Sequence, residues 1–150
     1  MTSQVYIFLK ELYHFNCENT SFYYNASLYV RRAFTKIFFE RLYLQKDSFC
    51  AALKILLLKY QENDENFVFD EVSHKSDSRD FHFLIFNLYR KEILRECYKR
   101  ELNALTTYSS IIENIEDSQA REILYEHRLQ ITQVISEMKL TGIDKYLINI

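Results

Sequence analysis

Residues 94–115 read LRECYKRELNALTTYSSIIENI, and this stretch decides the fold. Leu94, Tyr98, Glu101, Leu105, Tyr108, Ile112 and Ile115 recur at alternating steps of three and four. That spacing places them along one face of an α-helix, because 3.6 residues complete a turn. Five of the other positions between them are charged, and most of the rest are small or polar, so the helix has one buried seam and one wet face. Glu101 sits in the seam, where a polar group is costly to bury without a partner.

The same pattern runs outward in both directions. Downstream, Ala120, Leu124, His127, Ile131, Val134 and Met138 form a second seam, with Asp117 placed to cap its helix and Gly142 placed just past its end. Upstream, Val5, Phe8, Leu12, Phe15, Asn19, Phe22 and Ala26 form another. Phe38, Leu42, Gln45, Phe49, Ala52 and Leu56 form the fourth. The helices expected from these seams cover roughly 3–26, 28–62, 79–115 and 118–141. Asn25 and Ser27 mark the first break, and Ser27 is placed to cap the second helix.

Between the second and third helices lies NDENFVFDEVSHKSDS, the one substantial connection. A loop this long crosses the end of a bundle or carries function. Val68 and Phe69 are placed to tuck beneath it, and Ser76, Asp77 or Ser78 to cap the third helix. Phe81, Leu84, Ile85 and Leu88 are out of phase with the seam that follows, which implies a change of face near residue 90. The apolar tail IDKYLINI is suited to folding back or to pairing with another subunit.

Composition agrees. The 150 residues include one Gly and no Pro, so the turn signals of an all-β chain are missing. The expected fold is all-α, a single up-down-up-down four-helix bundle. A net charge of −2, with basic residues scattered, provides no nucleic-acid footprint. No run of about 18 apolar residues suggests a membrane span, and the N-terminus lacks the pattern of a signal peptide. Cys17, Cys50 and Cys97 make an odd count on separate helices, which fits reduced thiols in a cytoplasm. With a single Gly, no phosphate-cradling loop is available. Phe and Tyr make up 16% of the chain; they share AT-rich codons with Asn, Ile and Lys, so this enrichment reads as genomic composition.

Candidate chemistry is confined to polar seam positions. Counted from hairpin turns near residues 27 and 117, Asn19, Tyr108 and His127 fall in one layer. Gln45 and Glu101 fall in a second, roughly 10–15 Å deeper. The expectation is a pair of buried hydrogen-bonded clusters, led by Tyr108 with His127 and by Gln45 with Glu101. Glu101 and His127 are the candidate metal ligands. Seam amides such as Asn19 and Gln45 serve to fix helix register. Glu11 with His14, and Glu71 with His74, have a Glu-x-x-His form. The first pair flanks its seam and the second lies in the loop. The cysteines read as packed, inert thiols.

The segment RKEILRECYKRELNALTTYSSI, a short DSQ turn and AREILYEHRLQITQVISEMK resemble the second hairpin of a ferritin-like four-helix family. FFERLYLQKDSF (38–49), with Glu101 and Tyr108 seven residues apart, resembles more narrowly a bacterial family of ferritin-like bundles of unknown function. The resemblance implies a ferritin-like bundle over residues 7–140. A di-metal member needs a Glu from each of two helices and Glu-x-x-His from each of the other two. The second and fourth helices lack that pair, and Asn19 and Gln45 are poor ligands for iron or manganese. The expected protein is therefore non-enzymatic, cytoplasmic, structural or stress-associated and self-associating as a homo-oligomer, with its metal site absent or vestigial and no cofactor. Two alternatives stand beside it. One is a metal-binding ferritin-like protein using Glu101 and His127 with Glu18, Glu40, Glu122 or Glu126. The other is a helical protein-interaction module resembling the viral Bcl-2-like folds, which six or more short helices would favour.

Overall fold

The computed structural model describes residues 2–61 and 90–141. Four α-helices occupy them: α1 (Thr2–Tyr29), α2 (Ala33–Gln61), α3 (Arg90–Asn114) and α4 (Ser118–Leu140). The fold is all-α, and there is no strand among the described residues. With 23 to 29 residues each, these helices are long. The expected helix start near 79, the caps at 76–78, Val68, Phe69, the shift of face near 90, Gly142 and the apolar tail lie outside the described residues. The chain divides into two compact units, Met1–Phe83 and Leu84–Ile150, each holding one helical hairpin.

In the first unit α1 packs against α2. The connection is residues 30–32, later than the expected break near 27. Asn25 and Ser27 look like helix breakers, yet both are satisfied inside the helix. Asn25 Nδ2 donates to the Ser21 carbonyl at 2.8 Å, and Ser27 Oγ donates to the Tyr24 carbonyl at 2.6 Å. Such back-bonding lets a short polar side chain sit mid-helix, so α1 continues to Tyr29 and Ser27 caps nothing. The turn then closes with Val30 N donating to the Ala26 carbonyl at 3.0 Å, and α2 opens with Lys36 N donating to the Arg32 carbonyl at 2.9 Å.

Pairing across this hairpin is antiparallel. Tyr23 stacks on Phe39 with centroids 6.1 Å apart near the turn, and Tyr24 meets Tyr43 at 5.2 Å. Further along, Cys17 meets Cys50. Leu9, Leu12, Phe22, Phe39, Phe49, Leu53 and Leu57 are buried and fill the apolar part of the unit's interior.

The buried faces of α1 and α2 differ from the expected seams by a one-residue shift at several places. Leu9 and Asn16 are buried, whereas Phe8 and Phe15 are half-buried. Lys46 and Leu53 are fully buried, whereas Gln45 and Ala52 are half-buried. A seam can step by three or four at each turn. Choosing aromatic or amide positions over Asn16 and Lys46 selected the wrong step twice. Asn16 is tolerated because its Nδ2 donates to the Leu12 carbonyl at 3.0 Å. Lys46 is tolerated because its stem is apolar and its ammonium has partners. Nζ donates to Gln45 Oε1 at 2.9 Å and lies 5.2 Å from the centre of the Phe49 ring.

In the second unit α3 packs against α4 through the turn at 115–117. Asp117 caps α4: its carboxylate accepts from Ala120 N at 3.0 Å, and its own backbone is extended (φ −67°, ψ 117°). Every expected seam residue of α4 is buried, together with Ile135. On α3 only Leu105 departs from expectation. It is half-buried, and Ala104 takes its place.

Candidate functional site

Three groups of polar or reactive side chains are buried in the described helices. The first is in the second hairpin. Tyr108, fully buried on α3, and His127, buried on α4, are brought level because they lie nine and ten residues from Asp117 on either side of the turn. The Tyr108 hydroxyl and His127 Nδ1 are 2.9 Å apart, and the rings meet edge to face at 5.7 Å. This is the pair expected from counting turns. Beside it, Arg128 Nη1 donates to Ser109 Oγ at 3.4 Å, and the same guanidinium lies 4.9 Å from the centre of the Tyr125 ring.

Glu101 is fully buried on the same face of α3. It is seven residues before Tyr108, two turns and about 10 Å along the axis. The position on α4 level with it is near Val134, so Glu101 and His127 occupy different heights within one hairpin. That separation does not suit a single ion gripped by both, since ligand atoms sit only about 2 Å from a metal. The donor set is also thin: among the described residues no group of three or more His, Cys, Asp or Glu side chains is placed to hold a metal ion. Glu11 on α1 is exposed and His14, half-buried, meets Tyr13 edge-on at 5.5 Å; Glu71 and His74 lie outside the described residues.

The second group is Lys46 with Gln45 and Phe49 in α2, described above. Asn19, buried on α1, belongs to the same level. The contact of Cys17 with Cys50 sets Asn19 level with residue 48, three residues and about 4.5 Å from Gln45. The two amides expected in separate layers therefore share one within this hairpin. The expected layers rest on a break near 27, whereas the connection lies at 30–32.

The third group was not expected from the sequence. Cys17 on α1 and Cys50 on α2 are both buried, and their Sγ atoms are 3.4 Å apart. Thr20 Oγ1 lies 3.7 Å from Cys50 Sγ and donates to the Asn16 carbonyl at 2.7 Å. The hydrogen bond with Cys50 holds the Cys17 thiol below its ordinary range, against the opposing effect of burial. The Cys50 thiol is pushed up, first by its hydrogen bond with Cys17 and then by its own burial. Either sulfur can donate in this contact, and whichever accepts is the one favoured as thiolate. None of the three cysteines is in a disulfide. The signal available in the sequence was thin: two cysteines separated by 33 positions face each other only if the hairpin is centred near residues 33 and 34.

Comparison with protein-family models, curated proteins and solved structures finds no match to this chain. No helix among the described residues is long and apolar enough to cross a membrane.

Proposed function

We propose that this chain is a non-enzymatic helical protein of the ferritin-like kind, structural or stress-associated and cytoplasmic, that associates with copies of itself. Its metal site is absent or vestigial. The observation that carries this reading is an exposed apolar stripe on α2. Phe34, Ile37, Leu44, Ala51, Ile55 and Leu58 follow a repeat of 3.5 residues, broken only by Arg41 and Ser48. Phe34 is 74% exposed and Leu44 62%. The stripe runs for about 36 Å. Such a repeat is the pattern by which one helix packs along another. A two-fold axis would set the stripe against itself, so one surface serves both partners. Exposed apolar side chains grouped along one helix face mark an association surface.

The ferritin-like part of the reading is supported by the long hairpins and by their polar seam positions. The vestigial metal site is supported by His127, whose ring is engaged by Tyr108, and by the height of Glu101.

Sedimentation velocity across a concentration series tests the association. The natural chain is expected to sediment as a dimer or larger species, and the Ile37→Asp, Leu44→Asp double variant as a monomer with unchanged helical circular dichroism. A natural chain that stays monomeric throughout refutes the proposal. Metal analysis of the purified protein bears on the rest of it. Stoichiometric iron, manganese or zinc that is lost in Glu101→Ala would establish the metal-binding alternative instead.

A further inference from the structure

Two buried thiols on neighbouring helices are in van der Waals contact, inside a hairpin whose register holds them there. We propose that Cys17 and Cys50 form a reversible disulfide with a hydroperoxide as oxidant, a modification site that clamps α1 to α2.

The geometry carries the step. The sulfurs are 3.4 Å apart, and a disulfide needs about 2.05 Å. The remaining approach of about 1.4 Å is within the reach of side-chain rotation on two helices that already touch. Both residues keep a small exposure, 9% for Cys17 and 8% for Cys50, against 0% for Cys97. Their roles are unequal. The hydrogen bond between the two sulfurs holds the Cys17 thiol toward its thiolate, the reactive form, and pushes the Cys50 thiol up.

The chemistry balances as follows. The Cys17 thiolate attacks one peroxide oxygen. The S–O bond forms, the O–O bond breaks, and the departing hydroxide takes up the proton Cys17 released, giving a sulfenic acid and one water. Cys50 then attacks the Cys17 sulfur. The S–S bond forms, the S–O bond breaks, and the leaving oxygen takes the Cys50 proton as a second water. Two thiols are oxidised by one electron each, and one peroxide is reduced by two. A small dithiol reverses the step by thiol–disulfide exchange. The inference is independent of self-association, since both sulfurs belong to one hairpin.

The test is mass spectrometry of the folded full-length chain after brief exposure to hydrogen peroxide and quenching of remaining thiols by alkylation. The expected product lacks two hydrogens, contains a Cys17–Cys50 linked peptide, leaves Cys97 alkylated and returns to the starting mass with dithiothreitol. Cys50→Ser is expected to stop at a sulfenic acid on Cys17 that dimedone captures. Cys97→Ser is expected to change nothing. The mapping on the natural chain needs no variant to fold. Both cysteines alkylated after peroxide, over-oxidation to sulfinic acid with no link, or a link made through Cys97 would each overturn the proposal.

Discussion

Tyr108 and His127 show how this chain handles a polar group in an apolar seam. Tyr108 is fully buried and His127 nearly so, so each gains from a partner within the protein, and the turn delivers each to the other at 2.9 Å. Removing one partner leaves a buried acceptor or donor whose desolvation is no longer offset. Tyr108→Phe is accordingly expected to destabilise the protein by about 1–3 kcal/mol, read as a lower midpoint in urea with unchanged slope. An unchanged midpoint would mean that the bond contributes nothing net. Smaller polar residues on α1 use a local solution. Asn16, Thr20, Asn25 and Ser27 each bond a carbonyl three or four residues back, which satisfies a donor of each within α1 itself. Lys46 is the residue that sequence reasoning passed over. A lysine at a seam position looks like an error of phase, but four methylenes fill apolar space while Nζ reaches Gln45.

At the level of elements, the chain lacks the usual punctuation. With no Pro and one Gly, helix ends depend on side-chain caps. Asp117 is the clear case, since its carboxylate serves the otherwise unbonded Ala120 amide at the start of α4. Asp117→Ala is expected to cost about 1 kcal/mol and Asp117→Asn much less, measured by thermal or urea unfolding; equal losses in the two variants would show that charge rather than hydrogen bonding does the capping. The hairpin of α1 and α2 offers a second test. A bond between Cys17 and Cys50 would close a long loop and restrict the unfolded chain, a gain of roughly 3–4 kcal/mol in the loop-entropy picture. Peroxide-treated protein should therefore melt several degrees higher than reduced protein, and the difference should vanish in Cys17→Ser. An oxidised form that melts lower would indicate that closing the bond distorts the helices.

For the molecule as a whole, the exposed stripe on α2 has a thermodynamic consequence. If folded chains associate through it and unfolded chains do not, mass action makes stability depend on protein concentration. Tm should rise with concentration in the natural chain and stay flat in the Ile37→Asp, Leu44→Asp variant; a Tm independent of concentration in both would remove the stripe from any role in assembly. The sequence by itself determined that the chain is all-α, where the four seams run in outline, and that Tyr108 and His127 share a level. These depend on periodicity and on counting a few residues from a turn marked by a strong cap, and both are local. Tertiary structure alone decided which side chains meet in the first hairpin. A turn at 27 would set Cys17 level with residue 37, about 20 Å from Cys50. The actual connection at 30–32 sets the two sulfurs in contact and buries Lys46. A shift of a few residues at a turn is doubled across the pair, and no local pattern reports where a helix without breakers ends.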